Sequence, residues 1–201
     1  MSDENERILW KSFKEDNSLA FGSLVKLHYK RLFHYGLKFS RDKEFLKDTI
    51  QDLFLELWNK RQTITEPAFI RTYLLKSLRN KIVREKQKTK RILESENIEM
   101  EADFPAIFSV ETYIIEDENL RESVIKVRNL LNHLSKRQKE IIYLRYYHDL
   151  SHEEIAEVMS LSIQSVYNLL SRTIRHLKEI VDSNQLLFPL SILFSDTIFF
   201  L

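Results

Sequence analysis

The stretch SHEEIAEVMSLSIQSVYNLLSRTIRHLKE, residues 151–179, lays out a row of side chains suited to reading nucleic acid. Gln164, Asn168, Ser171, Arg172 and Arg175 share one side of a helical wheel, with Ser165 toward an edge. Val166, Leu170, Thr173, Ile174 and Leu177 point the other way. Amides and hydroxyls near the start can match the hydrogen-bonding edges of base pairs, and guanidinium groups farther on can hold phosphates. No acid stands between residues 162 and 178, so the local field favours a polyanion. A shorter helix precedes this one, with a break at Met159, Ser160 and Leu161, which is the layout of a helix-turn-helix. A polar face is also what any solvated surface helix carries, and the pattern alone leaves both readings open.

A second row lies in FLKDTIQDLFLELW. Phe45, Leu46, Thr49, Ile50, Leu53, Phe54, Leu57 and Trp58 form a wide stripe for burial. Asp48, Gln51 and Leu55 cluster opposite it, with Glu44 close by and Asp52 at the margin. This is either a plain exposed side or a shallow polar interface for a partner helix centred on Leu55.

A third set begins in the polar loop NKRQTITE, which contains Lys60 and Arg61. Pro67 suits the first turn of the helix that follows. On that helix Ile70, Leu74, Ser77 and Leu78 should face inward. Thr72, Lys76, Arg79 and Val83 should share the outer side, with Asn80 bordering it. Phe69 and Tyr73 flank this basic surface. Rings stack on unpaired bases while cations hold phosphates, although core packing accounts for the same rings.

Other chemistry is poorly provided for. There is no Cys, which removes thiolate metal sites, disulfides and thiol catalysis. The six His are scattered without metal or acid–base spacing, so we expect no enzyme, no metal and no cofactor. The opening MSDENERILWKSFKEDN lacks a basic-then-apolar leader pattern, and the expected location is cytoplasmic.

These residues must be held by helices. Two Gly and three Pro in 201 residues are too few for a sheet-rich chain with many tight turns. The expected fold is all-α, with two small helical domains joined by an acidic linker, the second containing the helix-turn-helix. The net charge of +1 conceals this division: residues 76–91 carry eight Lys or Arg against Glu85, whereas residues 93–120 carry nine acids and no base. The expected boundaries are 8–92, a linker at 93–119, a second domain at 120–182 and a hydrophobic tail at 183–201. Ser135, Ser151 and Ser162 are the expected helix caps in the second domain, after a first helix through Ile125 and Leu130. In the tail, LLFPLSILFSDTIFFL has eleven large hydrophobes in sixteen residues, interrupted by Pro189 and Asp196. It falls short of a spanning helix, so it is expected to fold back over an apolar seam of the second domain or between the domains, with a partner-binding tail as the alternative.

Together the two halves resemble sigma-70 family RNA polymerase sigma factors of the extracytoplasmic function (ECF) group, particularly the kind abundant in Bacteroidetes. FGSLVKLHYKRLFHYGLKF, KDTIQDLFLELWNKR and YLLKSLRNKIVREKQK resemble successive parts of the family's second conserved region. LSKRQKEIIYLRYYHDLSHEEIAEVMSLSIQSVYNLLSRTIRHLKE resembles its fourth. The resemblance implies a guide subunit that docks on core RNA polymerase, reads two promoter DNA elements and assists strand opening without ATP hydrolysis. It assigns Asp48, Gln51, Asp52 and Leu55 to the polymerase clamp. Asn59, Lys60, Arg61, Tyr73, Lys76, Arg79 and Asn80 fall to the downstream element, with Tyr73 standing where many members have Trp. Gln164, Ser165, Asn168, Arg172 and Arg175 fall to the upstream element. An anti-sigma factor is a further partner often found in this family. The chain departs from the family pattern at Ser160-Leu161-Ser162, where Gly-Ile-Ser is common, and at Tyr167, Asn168 and Leu169, where many members have Lys, Ser and Arg. Without the resemblance, a conventional helix-turn-helix regulator or a helical protein-interaction adaptor would explain much of the same pattern.

Overall fold

A computed structural model describes residues 3–93 and 127–183, and the chain divides into two compact helical units. The first unit contains α1 (Asp3–Lys14), α2 (Ser18–Gly36), α3 (Lys43–Asn59) and α4 (Ile70–Leu93). The second contains α5 (127–132), α6 (Lys136–Ile142), a π-helical turn (Tyr143–Tyr147), α7 (His152–Met159) and α8 (Ile163–Ser183). The proposed linker and tail lie outside the described residues, apart from their first positions.

Short polar side chains set the helix starts. Asn17 accepts from the N–H groups of Leu19 and Ala20, each at 3.0 Å, and opens α2. Asp42 does the same for Phe45 at the start of α3. The turn before α2 places Asp16 at φ 67, a left-handed conformation that Asp tolerates better than most residues.

In the first unit, α2 packs against α1, α3 and α4. Gly36 permits one close approach: a Cβ there would stand 2.9 Å from a Leu46 methyl. The core draws on every helix, with Trp10, Phe13, Leu24, Leu32, Tyr35, Leu46, Ile50, Leu74, Leu78 and Ile82 almost fully enclosed. Each such side chain contributes about 1.5–3 kcal/mol from burial, before the entropy of ordering is subtracted. Phe13 and Phe21 stack at 5.4 Å, and Phe21 meets Trp58 at 5.0 Å, which joins α1, α2 and the end of α3 through rings.

Of the expected α3 stripe, Leu46, Thr49, Ile50, Leu53, Phe54 and Leu57 are buried, and Phe45 and Trp58 at its two ends are half-buried. On α4 two expectations fail. The helix begins at Ile70, and the Tyr73 N–H donates to the Phe69 carbonyl at 3.1 Å, so Pro67 precedes the first turn instead of occupying it. Thr72, assigned to the outer side, is completely buried. With α2 and α3 both packed on α4, the buried side widens beyond the expected stripe to include Leu75 and Thr72.

The three serine caps of the second unit are present. Ser135 and Gln138 form a reciprocal capping box. Ser151 and Glu154 form another: the Ser151 N–H donates to Glu154 Oε2 at 2.9 Å, and the Glu154 N–H returns a bond to Ser151 Oγ at 3.2 Å. Ser162 Oγ accepts from the Ser165 N–H at 3.1 Å. Between α7 and α8, Ser160 takes φ 54, and the Leu161 N–H closes on the Ala156 carbonyl at 2.9 Å. A helix ending of this kind normally uses Gly, so a serine here bears local strain. Leu130, Leu134, Ile141, Leu144, Leu150, Ile155, Val166 and Leu177 provide the core.

Candidate nucleic-acid and partner surfaces

The outer side of α3 is polar with one apolar point. Asp48, Gln51 and Asp52 are exposed, and Leu55 is 51% exposed, opposite the buried stripe. Lys47 and Glu44 pair at 2.7 Å beside this row. Glu56 on the next turn binds Lys81 of α4 at 2.7 Å, and this bond holds the Glu56 carboxyl below the usual carboxylate range. The structure therefore brings Asp48, Gln51, Asp52 and Leu55 together on one exposed face of α3.

The α3–α4 loop is built with more support than its sequence suggests. Asn59 ends α3 and Lys60 follows as its C-cap; both are exposed. Arg61 lies over the Trp58 ring at 4.4 Å, donates to the Trp58 carbonyl at 2.8 Å and pairs with Asp16. Gln62 also donates to Asp16, at 3.0 Å. Farther along, Lys14 Nζ donates to the Ile64 carbonyl at 2.6 Å and Arg7 to the Ala68 carbonyl at 3.3 Å. Residues of α1 and the turn after it thus hold the loop at four positions. Arg61 itself is engaged within the protein.

Beside this loop a groove of about 260 Å³ opens between the end of α3 and α4. Lys60, Tyr73 and Asn80 line it, three of the residues assigned to the downstream element. Lys81, Arg84, Ile64 and Ser77 line it as well. Tyr73 is half-buried, with its ring edge-on to Trp10 at 6.0 Å. Lys76 and Arg79 are half-buried and lie outside the groove lining, while Phe69 is 47% exposed. Lys81 and Arg84 escaped assignment even though both belong to the basic run at 76–91.

On α8 the expected division holds. Gln164, Ser165, Asn168, Arg172 and Arg175 are exposed, Val166, Leu170, Thr173 and Leu177 are buried, and Ile174, expected inward, is half-buried. The buried Thr173 hydroxyl is satisfied by the Leu169 carbonyl at 2.7 Å. Gln164 Nε2 donates to Asn168 Oδ1 at 3.2 Å, so the two amides form a linked pair. Ser165 Oγ lies 2.8 Å from Ser162 Oγ, which ties it to the helix cap. Among the described residues no cluster of three or more His, Asp or Glu could hold a metal ion, and no helix is long and apolar enough to cross a membrane.

Comparison with known proteins adds an independent finding. Residues 24–92 match the model for sigma-70 region 2, and residues 125–177 match that for sigma-70 region 4. RNA polymerase sigma factor NccH of Alcaligenes xylosoxydans xylosoxydans is 24% identical over 177 residues, covering 85% of this chain and 91% of that protein. RNA polymerase sigma factor YlaC of Bacillus subtilis (strain 168) is 24% identical over 162 residues, covering 78% and 88%. Among solved structures, CnrH in complex with the cytosolic domain of CnrY is similar with a TM-score of 0.56 at 22% identity, covering 89% of this chain and 97% of that one. The sigma factor RpoE, solved with the anti-sigma factor NepR from Bartonella quintana, gives 0.55 at 22% identity, covering 81% and 96%. At these identities the two structures speak for the fold.

Proposed function

The chain belongs to the sigma-70 family of RNA polymerase sigma factors, as a member of the extracytoplasmic function type, and from this premise we propose how its surfaces divide the work of transcription initiation. The α3 face of Asp48, Gln51, Asp52 and Leu55 docks on core RNA polymerase. Gln51 supplies directional hydrogen bonding, Leu55 a small apolar contact, and the two aspartates complementary charge. The groove and loop beside it take opened DNA at the downstream element. Lys60 and Arg84 supply positive charge from the lining, beside Lys81 in its pair with Glu56, and Lys76 and Arg79 add theirs from α4 outside the groove, while Tyr73 and Asn80 offer a ring and an amide to an unstacked base. The α8 face of Gln164, Ser165, Asn168, Arg172 and Arg175 reads duplex DNA at the upstream element.

Strand opening in this reading uses binding energy: bases captured once unpaired offset part of the cost of unstacking them. No covalent step is required, in keeping with a non-catalytic family. The acidic stretch at 93–119 repels phosphate and so separates the two DNA-binding units functionally as well as along the sequence. An anti-sigma factor, the kind of partner bound to the similar RpoE, completes the proposed set of partners.

The observation that carries the proposal is the exposed Gln51–Leu55 face in a chain that also contains the helix-turn-helix. A conventional DNA-binding regulator needs only the latter. The test is runoff transcription with purified protein, core RNA polymerase and a promoter library. Selective initiation dependent on both components supports the assignment; duplex binding without selective initiation rejects it.

A further inference from the structure

One exposed ring on α8 has no part in the surfaces described above. Tyr167 is 49% exposed and lies one turn along α8 from both Gln164 and Ser171, at the rim of the polar face where it gives way to the side that carries Ile163. Its ring lies on the His152 imidazole with centroids 4.1 Å apart and planes 17° from parallel. His152 is the first residue of α7, so the stack joins the two helices of the helix-turn-helix near their starts. Ile163, one turn before Tyr167, is 46% exposed and extends the same apolar rim.

We infer that Tyr167 is a specificity-determining residue for the upstream element, supplying an apolar contact to a thymine methyl, and that His152 is its positioning residue. This inference rests on the reading of α8 as the DNA-reading helix. The linked amides of Gln164 and Asn168 match base edges that donate and accept hydrogen bonds. The ring beside them presents an apolar surface, and the C5-methyl of thymine is the apolar group that a base pair offers in the major groove. An exposed tyrosine ordinarily loses rotamer freedom on binding. Here His152 covers one face and restrains the ring beforehand, leaving its edge and opposite face for DNA. The setting favours DNA over a protein partner because no acid stands between residues 162 and 178, and Arg172 and Arg175 follow on the same helix.

The test uses the full-length protein with core RNA polymerase and a library randomised across the upstream element. Wild type should favour thymine at one position. Replacing that thymine with deoxyuridine, which removes only the methyl, should lower initiation by about fourfold, the effect of one buried methyl-sized group. Tyr167→Ala should lose the preference at that position and become indifferent to the deoxyuridine exchange, while Tyr167→Phe keeps both. His152→Ala should weaken discrimination at the same position, and His152→Phe, which retains a stacking ring, should restore it. Retained discrimination in Tyr167→Ala, or a uniform loss at all positions, would reduce the stack to a staple between helices and overturn the inference. A selectivity unchanged in His152→Ala removes its positioning role. Should Tyr167→Ala fail to fold, wild type that ignores methyl removal at every upstream thymine overturns the inference by itself. Altered binding to a protein partner with an unchanged DNA motif assigns the rim to that partner and overturns it too. Wild type that enriches no motif with polymerase counts against the proposed function itself, and the inference falls with it.

Discussion

Lys14 Nζ donates to the Ile64 carbonyl at 2.6 Å, a bond that reaches fifty residues along the chain from the last turn of α1 to the loop after α3. Arg7 and Asp16 make neighbouring connections to the same loop. The part of the first unit proposed to meet opened DNA is therefore held from behind by a helix that precedes the matched region at residues 24–92.

Lys14→Met removes the cation while retaining much of the aliphatic stem. It should cost about 1.5–3 kcal/mol, the range for a hydrogen bond involving a charged group. Equilibrium urea unfolding measures the loss. Permanganate footprinting of the open promoter should show reduced opening, whereas a core-polymerase titration should remain close to wild type. A variant with unchanged opening would show that the loop does not depend on this tether.

The α3 face gives the complementary result. Gln51→Ala with Leu55→Ala should lower core-polymerase affinity by at least tenfold, or about 1.4 kcal/mol, and leave the unfolding midpoint nearly unchanged because both side chains are exposed. A fluorescence titration against core enzyme, paired with thermal unfolding, separates these quantities. Wild-type affinity in the double variant would move the docking surface elsewhere.

Ser160 offers a change in the opposite direction. Its φ of 54 lies in the left-handed region, so Ser160→Gly should relieve a cost of about 1 kcal/mol, less the extra entropy that glycine gains on unfolding. The second unit should become more stable by a few tenths to about 1 kcal/mol. Thermal unfolding should show a small upward shift, and a lower midpoint would rule out strain at this turn.

Lys38 is almost fully buried, and burial lowers its pKa to about 8. The unfolded chain holds its Lys38 proton to a higher pH than the folded one, so this group's contribution should rise as pH increases from about 8 toward the ordinary lysine value. The increase should approach about 3 kcal/mol when that interval has been crossed. Lys38→Met should flatten this part of the stability profile. Parallel wild-type and variant profiles between pH 8 and 10 would contradict the assignment.

Local patterns revealed much of the fold because several helices follow short-range rules. The α3 stripe could be read from its three- and four-residue spacing, and Ser135, Ser151 and Ser162 identified helix starts through hydrogen bonds only three residues long. Long-range packing was less accessible. Thr72 followed a wheel drawn for a narrower buried face, and Pro67 looked suitable for a first turn that the backbone begins at Ile70. Arg61 bore the right charge for DNA, but nothing in its neighbours announced that Trp58 and Asp16 would engage it. His152 and Tyr167 are fifteen residues apart, and their stacking depends on the angle between two helices.

The connections from Arg7, Lys14 and Asp16 to residues 61–68 also bear on synthesis of the chain. Contacts between residues 45 to 61 positions apart form after more chain entropy has been lost than helix turns require, and α1 leaves the ribosome well before its partner loop. While nascent, the chain can begin helix formation with this loop still unbraced. If the loop holds melted DNA as proposed, that ability should be acquired only when the amino-terminal helix has found its distant partner, and incompletely folded copies should be poor competitors for promoters even with α8 already formed.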